Sequence, residues 1–204
     1  MDKIILNSDQ KDGLQELANI GAGHASTALS KMINREIKMG IPHVKVIPLS
    51  EAGNYIRDEH VVVGIFLKIS EEIPSYVMLL IPRESAFSLA DLLLGNNERS
   101  GDFVLSEMDT SALSEVANVM ICSFFDSISS MLGMSVVPGP PHLAYDIPEA
   151  VLDYVLIQIG EVSNDIFLFN VDLEGEKENN FEIHMFLLPE PDSINTLLDK
   201  MGLK

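Results

Sequence analysis

DGLQELAN (12–19) and SALSEVAN (111–118) are two versions of one sequence pattern. Asp12, Glu16 and Asn19 in the first correspond to Ser111, Glu115 and Asn118 in the second. Each set is followed after 22 residues by a proline, Pro42 or Pro141. No residue is gained or lost between the two copies. An internal repeat sets the architecture of a chain, so it is read before anything else.

The repeat continues outward from these words. M78-L-L-I-P82 leads into RESAFSLADLLLG (83–95), and M185-F-L-L-P189 leads into EPDSINTLLDKMG (190–202). The motif residues are offset by 99 positions, while Pro82/Pro189 and Gly95/Gly202 are offset by 107. The second half has therefore gained eight residues after Pro141, and the polar turn EGEKENN (174–180) is the expected place for much of that insertion. Each half predicts a long helix first, over 9–34 and 107–132, with Ser106-x-x-Asp109 as a capping box on the second. Extended segments follow at 43–49, 61–69 and 75–81, and again at 135–138, 150–162, 165–174 and 181–188, rich in β-branched and aromatic residues. Shorter helices at 84–94 and 191–201 close the halves, ended by Gly95 and Gly202. Strands joined by short polar turns predict antiparallel pairing. The expected fold is α+β, an α-β-β-β-α unit occurring twice (about 9–95 and 107–202) with pseudo-twofold symmetry. The two halves are expected to share one core in a single domain over 1–204.

Helical geometry separates the repeated polar residues from the packing residues. At 100° per residue, Asp12, Glu16, Asn19 and Gly23 fall on one face. Leu14, Leu17, Ala18, Gly21, Ala25, Ala28, Leu29 and Met32 fall on the other. The second helix reads the same way, with Ser111, Glu115, Asn118 and Cys122 opposite Leu113, Val116, Ala117, Met120, Phe124, Ile128 and Met131. A single exposed Glu-x-x-Asn carries no information, since polar residues are normal on a solvent face. The same pair on two otherwise diverged helices has no packing explanation and points to function. Pro42 and Pro141 read as structural, each setting the entry into the next strand.

Composition narrows the remaining possibilities. The formal charge of −18 over 204 residues opposes sequence-independent binding to nucleic acid or to anionic membranes. It favours partners with a basic face. No apolar run has the length of a membrane span, and MDKIILNSDQ lacks the pattern of a secretory signal. The single cysteine, Cys122, cannot form an internal disulfide and fits a reducing cytoplasm. GAGHAS (21–26) imitates a dinucleotide loop, but it lies within an amphipathic helix and lacks a third glycine. The five histidines (24, 43, 60, 142 and 184) are dispersed, with no metal-ligand spacing. Glu16 and Glu115 each come with their own Asn on their own helix, which favours two separate sites over one carboxylate pair.

At these residues the chain resembles the CheC family of bacterial and archaeal chemotaxis phosphatases, with its relatives CheX and FliY. That family carries Asp/Ser-x3-Glu-x2-Asn-x22-Pro, here Asp12, Glu16, Asn19, Pro42 and again Ser111, Glu115, Asn118, Pro141. NIGAGHASTALS (19–30) and NVMICSFFDSIS (118–129) resemble the family's two motif helices. The resemblance implies hydrolysis of the aspartyl phosphate on the response regulator CheY. Asn19 and Asn118 would position the attacking water, and Glu16 and Glu115 would pair with the regulator's phosphosite lysine. Asp12 and Ser111 would play a supporting part. It implies no cofactor or metal of the protein's own, with Mg²⁺ carried by CheY, and a second partner, the receptor deamidase CheD. The competing reading is a scaffold that binds and regulates CheD under the control of phosphorylated CheY.

Overall fold

The computed structural model describes residues 5–40, 43–56, 61–95, 104–159, 165–175, 180–190 and 192–203. Each half runs helix, two short strands, a helical segment, two long strands, helix. The first half comprises α1 (Ser8–Ile33), β1 (Ile37–Met39), β2 (His43–Pro48), a 3-10 helix (Leu49–Ile56), β3 (Val62–Glu71), β4 (Ser75–Pro82) and α2 (Arg83–Leu94). The second comprises α3 (Glu107–Leu132), β5 (Val136–Pro138), β6 (His142–Asp146), α4 (Pro148–Ile159), β7 (Asp165–Gly175), β8 (Asn180–Pro189) and α5 (Ser193–Lys200).

All pairings among the described strands are antiparallel, in the order β1-β7-β8-β4-β3-β5, with β2 also on β7 and β6 also on β3. The halves exchange strands: β1 and β2 pair with β7 of the other half, and β5 and β6 with β3. Neither half holds a complete sheet of its own. At the centre, β4 and β8 pair with Met78 opposite Phe186 and Leu79 opposite Met185. The 107-residue offset turns each of these two pairs into the other, so a pseudo-twofold relation passes between them.

Three details differ from the sequence expectation. Among the described residues each half has four strands rather than three: β5 falls on the expected 135–138 segment, while β1, only three residues long, and β6 (His142–Asp146) were not expected. Residues 150–162 were expected to be extended, but 148–159 form α4. Their β-branched and aromatic content suggested a strand, yet Val151, Leu152 and Val155 are buried while Ile157 is 77% exposed, which is helical spacing with Pro148 in the first turn. Gly64 on β3 makes room for this helix, since a Cβ there would lie 2.2 Å from Val151 Cγ1. The insertion is also only partly in the turn. The β3–β4 ladder ends at Ile69↔Ser75, whereas β7–β8 runs to Glu174↔Asn180, and the longer hairpin takes up part of the gained length.

The repeated proline has a structural context. Pro138 and His142 pair with Ile69 and Phe66 of β3, so three residues, 139–141, oppose two. The β5–β6 edge is thus broken by a bulge, where the missing N–H of Pro141 costs no ladder bond. In the first half Met39 pairs with Leu173 and His43 with Asn170. Pro141 stands immediately before β6. Pro42 lies outside the described residues, as does most of the 95–102 connector.

The sheet is buried on both faces, which explains the apolar run VVVGIFLKI (61–69), interrupted by the exposed Lys68 alone. Val63, Ile65 and Leu67, with Val77, Leu79, Phe167, Phe169 and Ile183, pack under α1, α2, α3 and α5. Val62, Phe66, Met78, Leu80, Leu168 and Phe186 form the second core with Val151, Leu152 and Val155 of α4 and Ala52 of the 3-10 helix. The helix ends obey local rules. Ser106 and Asp109 form the expected capping box, and Asn7 with Gln10 forms a second on α1. Gly95 and Gly202 take positive φ of 69° and 71°.

Candidate functional site

The long helices α1 and α3 pack on each other and on the sheet. Their contact is close at Gly21, where a Cβ would lie 2.5 Å from Phe124 Cδ2. Leu14, Leu17, Ala18, Gly21, Ala25 and Leu29 are buried on α1, as are Leu113, Val116, Ala117, Met120, Phe124 and Ile128 on α3. Met32 and Met131, expected in the same stripes, are 38% and 48% exposed because they lie in the last turn of each helix. The motif faces point away from the core. Asp12, Glu16, Ser111 and Glu115 are exposed, while Asn19 and Asn118 are half-buried. Each helix thus presents a carboxylate and, three residues on, a partly sheltered carboxamide.

The two carboxamides are held differently. Gln15 Nε2 donates to Asn19 Oδ1 at 3.1 Å, and Gln15 Oε1 accepts from the Val44 backbone N–H of β2, also at 3.1 Å. On α3, Ser114 occupies the place of Gln15, and its hydroxyl donates instead to Thr110 O at 2.8 Å. Asn118 Oδ1 is approached from the other side, by Cys122 Sγ at 3.6 Å. The residue at the Cys122 position of α1 is Gly23, which has open space around it. Burial pushes the Cys122 thiol above its ordinary value, helped by the negative charges of Asp126 and Glu115. It therefore stays protonated and able to donate at neutral pH. Sequence reading missed Gln15, because a repeat comparison discards positions at which the halves differ.

Beside the first motif, Asp12 and Gln15 line a groove of about 720 Å³ with Lys11, Lys45, Tyr55 and Asp165. Lys45 Nζ stands over the Tyr55 ring, 5.4 Å from its centre. His24 is exposed beyond the motif on α1. Among the described residues no cluster of three or more His, Cys, Asp or Glu could hold a metal ion, and no helix is long and apolar enough to cross a membrane.

Fold and site together define a class: a mixed helix and antiparallel-sheet protein that presents two similar Glu/Asn faces from neighbouring helices. The model of the CheC-like family matches residues 10–46, the segment from the first turn of α1 to β2. The chain is 26% identical over 200 residues to the CheY-P phosphatase CheC of Bacillus subtilis, covering 97% of this chain and 96% of that relative. The crystal structure of Thermotoga maritima FliY superposes with a TM-score of 0.79 at 21% identity, covering 98% of this chain and all of that one. The CheX–CheY–BeF3–Mg²⁺ complex from Borrelia burgdorferi matches with a TM-score of 0.53 at 20% identity, over 83% of this chain and 95% of that one. In sequence and in fold the chain is similar to proteins of the CheC, CheX and FliY group.

Proposed function

We propose that this chain is a phosphatase acting on the aspartyl phosphate of a CheY-type response regulator. The observation that carries this reading is the geometry of the Asn residues. Each half-buried carboxamide has its oxygen engaged by a neighbouring side chain and lies one helical turn from an exposed Glu. The names of the relatives agree: one is a CheY-P phosphatase, and one matching structure is a complex with CheY.

The chemistry asks little of the protein. An acyl phosphate is already activated, and its hydrolysis passes through a loose transition state, so placing water in line with the breaking bond supplies most of the catalysis. Asn19 or Asn118 accepts a hydrogen bond from that water through the second lone pair of Oδ1. The water oxygen attacks phosphorus and the bond to the aspartyl oxygen breaks. The carboxylate leaves as an anion, and the water proton passes to phosphate. Glu16 and Glu115 dock the regulator by pairing with a lysine beside its phosphosite, which places the Asn. Mg²⁺ belongs to the regulator, and the reaction is set in the cytoplasm. Asp12 and Ser111 differ in charge at the edge of each site, which would make the two sites unequal.

The test is phosphate release from phosphorylated CheY with wild type, Asn19→Ala, Asn118→Ala and the double variant. Acceleration by the wild type that is lost in the double variant supports two hydrolytic sites. No acceleration by the wild type refutes the phosphatase reading. Binding to CheD rests on the family resemblance alone. The double variant should bind it as the wild type does, and no binding by either would remove CheD as a partner.

A further inference from the structure

Resting on the hydrolytic reading above, we propose that Gln15 is a positioning residue for Asn19, making the first site a built device with no counterpart at the second. One amide group is used at both ends. Its Nε2 donates to Asn19 Oδ1, and its Oε1 accepts from Val44 N, each at 3.1 Å. Val44 sits on an edge strand, opposite Phe169 of β7, and sends its N–H to the helix instead of to the ladder. Gln15 is half-buried and tied to both α1 and the sheet edge, so its own orientation is determined.

The consequence for Asn19 is chemical. The terminal torsion of an Asn side chain is broad and roughly twofold, so an untethered carboxamide can offer either its oxygen or its NH2 at a given place. These choices are not equivalent for an attacking water. A water that accepts from an NH2 group spends a lone pair, whereas a water that donates to a carbonyl oxygen keeps its lone pairs for phosphorus. A donor on Oδ1 from Gln15 selects the carbonyl orientation and leaves the second lone pair of that oxygen for the water. On α3 the hydroxyl of Ser114 is turned to Thr110 O. Among the described residues Asn118 is met there by the thiol of Cys122, a weak donor.

The experiment measures kcat and KM for phosphorylated CheY using Gln15→Glu and Gln15→Met in the Asn118→Ala chain, where only the first site remains. Glu at position 15 still accepts from Val44 N but cannot donate to Asn19, so it separates positioning from a purely structural tie. Both variants should lower kcat roughly three- to tenfold, the worth of one neutral hydrogen bond, with KM within about twofold. In the Asn19→Ala chain the same substitutions should leave the second site's rate unchanged. An unaltered kcat for Gln15→Glu, or an equal fall in the Asn19→Ala chain, overturns the proposal. An active wild type with an inactive Asn118→Ala chain overturns it while sparing the phosphatase reading. A wild type without activity overturns both.

Discussion

Asn19 and Asn118 are expected to be residues whose loss is felt in function and hardly in stability. Neither is in the core, and their side-chain partners are an amide N–H of Gln15 and a weakly donating thiol. Each change to Ala should move the thermal midpoint by no more than about 2 °C in a melt followed by circular dichroism, the size expected of surface substitutions. Cys122 supports a separate expectation. Its raised thiol value means less thiolate at pH 7–8, so iodoacetamide should modify it more slowly than free cysteine, and unfolding in urea should remove the difference. The sign with pH follows, because the native state prefers the protonated thiol. Stability from this site is full below the ordinary thiol value of 9.0 and falls as pH rises above it. Alkylated protein should lose the rate due to Asn118 and keep that due to Asn19, which phosphate release in the two single-Ala chains can resolve.

Two glycines of α1 show how one helix satisfies packing on one side and access on the other. Replacing glycine by alanine inside a helix gains roughly 0.8–1.0 kcal/mol of propensity. At Gly23 nothing lies within 4 Å of the added methyl, so Gly23→Ala should raise stability by most of that amount. At Gly21 the methyl would meet three atoms of the Phe124 ring at 2.5–2.9 Å. Gly21→Ala should therefore destabilise by about 1–3 kcal/mol net, measured by urea unfolding. The same logic reaches α4, since Gly64→Ala would push Val151 off the sheet. The long helices were legible because heptad-scale periodicity and caps surround them. α4 was not, because its apolar residues are also good strand formers and only the packing against Gly64 distinguishes the two. Gln15 was illegible for another reason: its partner Val44 lies 29 residues away and meets it only when β2 takes its place at the sheet edge.

Over the whole molecule, strand exchange binds the halves, and side-chain ties close the remaining seams. Glu72, in the turn between β3 and β4, accepts from Ser135 N at 2.7 Å and pairs with Lys200 of α5 at 2.5 Å. It thus joins the first half to two segments of the second. Lys200 first, and the Ser135 N–H next, hold the Glu72 carboxyl below its usual value of 4.5. A depressed carboxyl contributes stability above the unfolded value of 4.5, and this is lost as pH falls through the lower folded value. Glu72→Gln should flatten that acid limb: in thermal melts the variant lies slightly below the wild type at pH 7, and the two converge as pH falls from 6 to 3. The group is exposed, so the effect is small. By itself the sequence determined the repeat, the two long helices, their apolar and polar faces and the paired Glu and Asn, because these rest on local spacing and helix periodicity. Only the tertiary structure decided that the halves trade strands, that residues 148–159 are helical, and that Asn19 and Asn118 are braced by different neighbours. Those features depend on contacts between residues far apart in the chain, which no local pattern records.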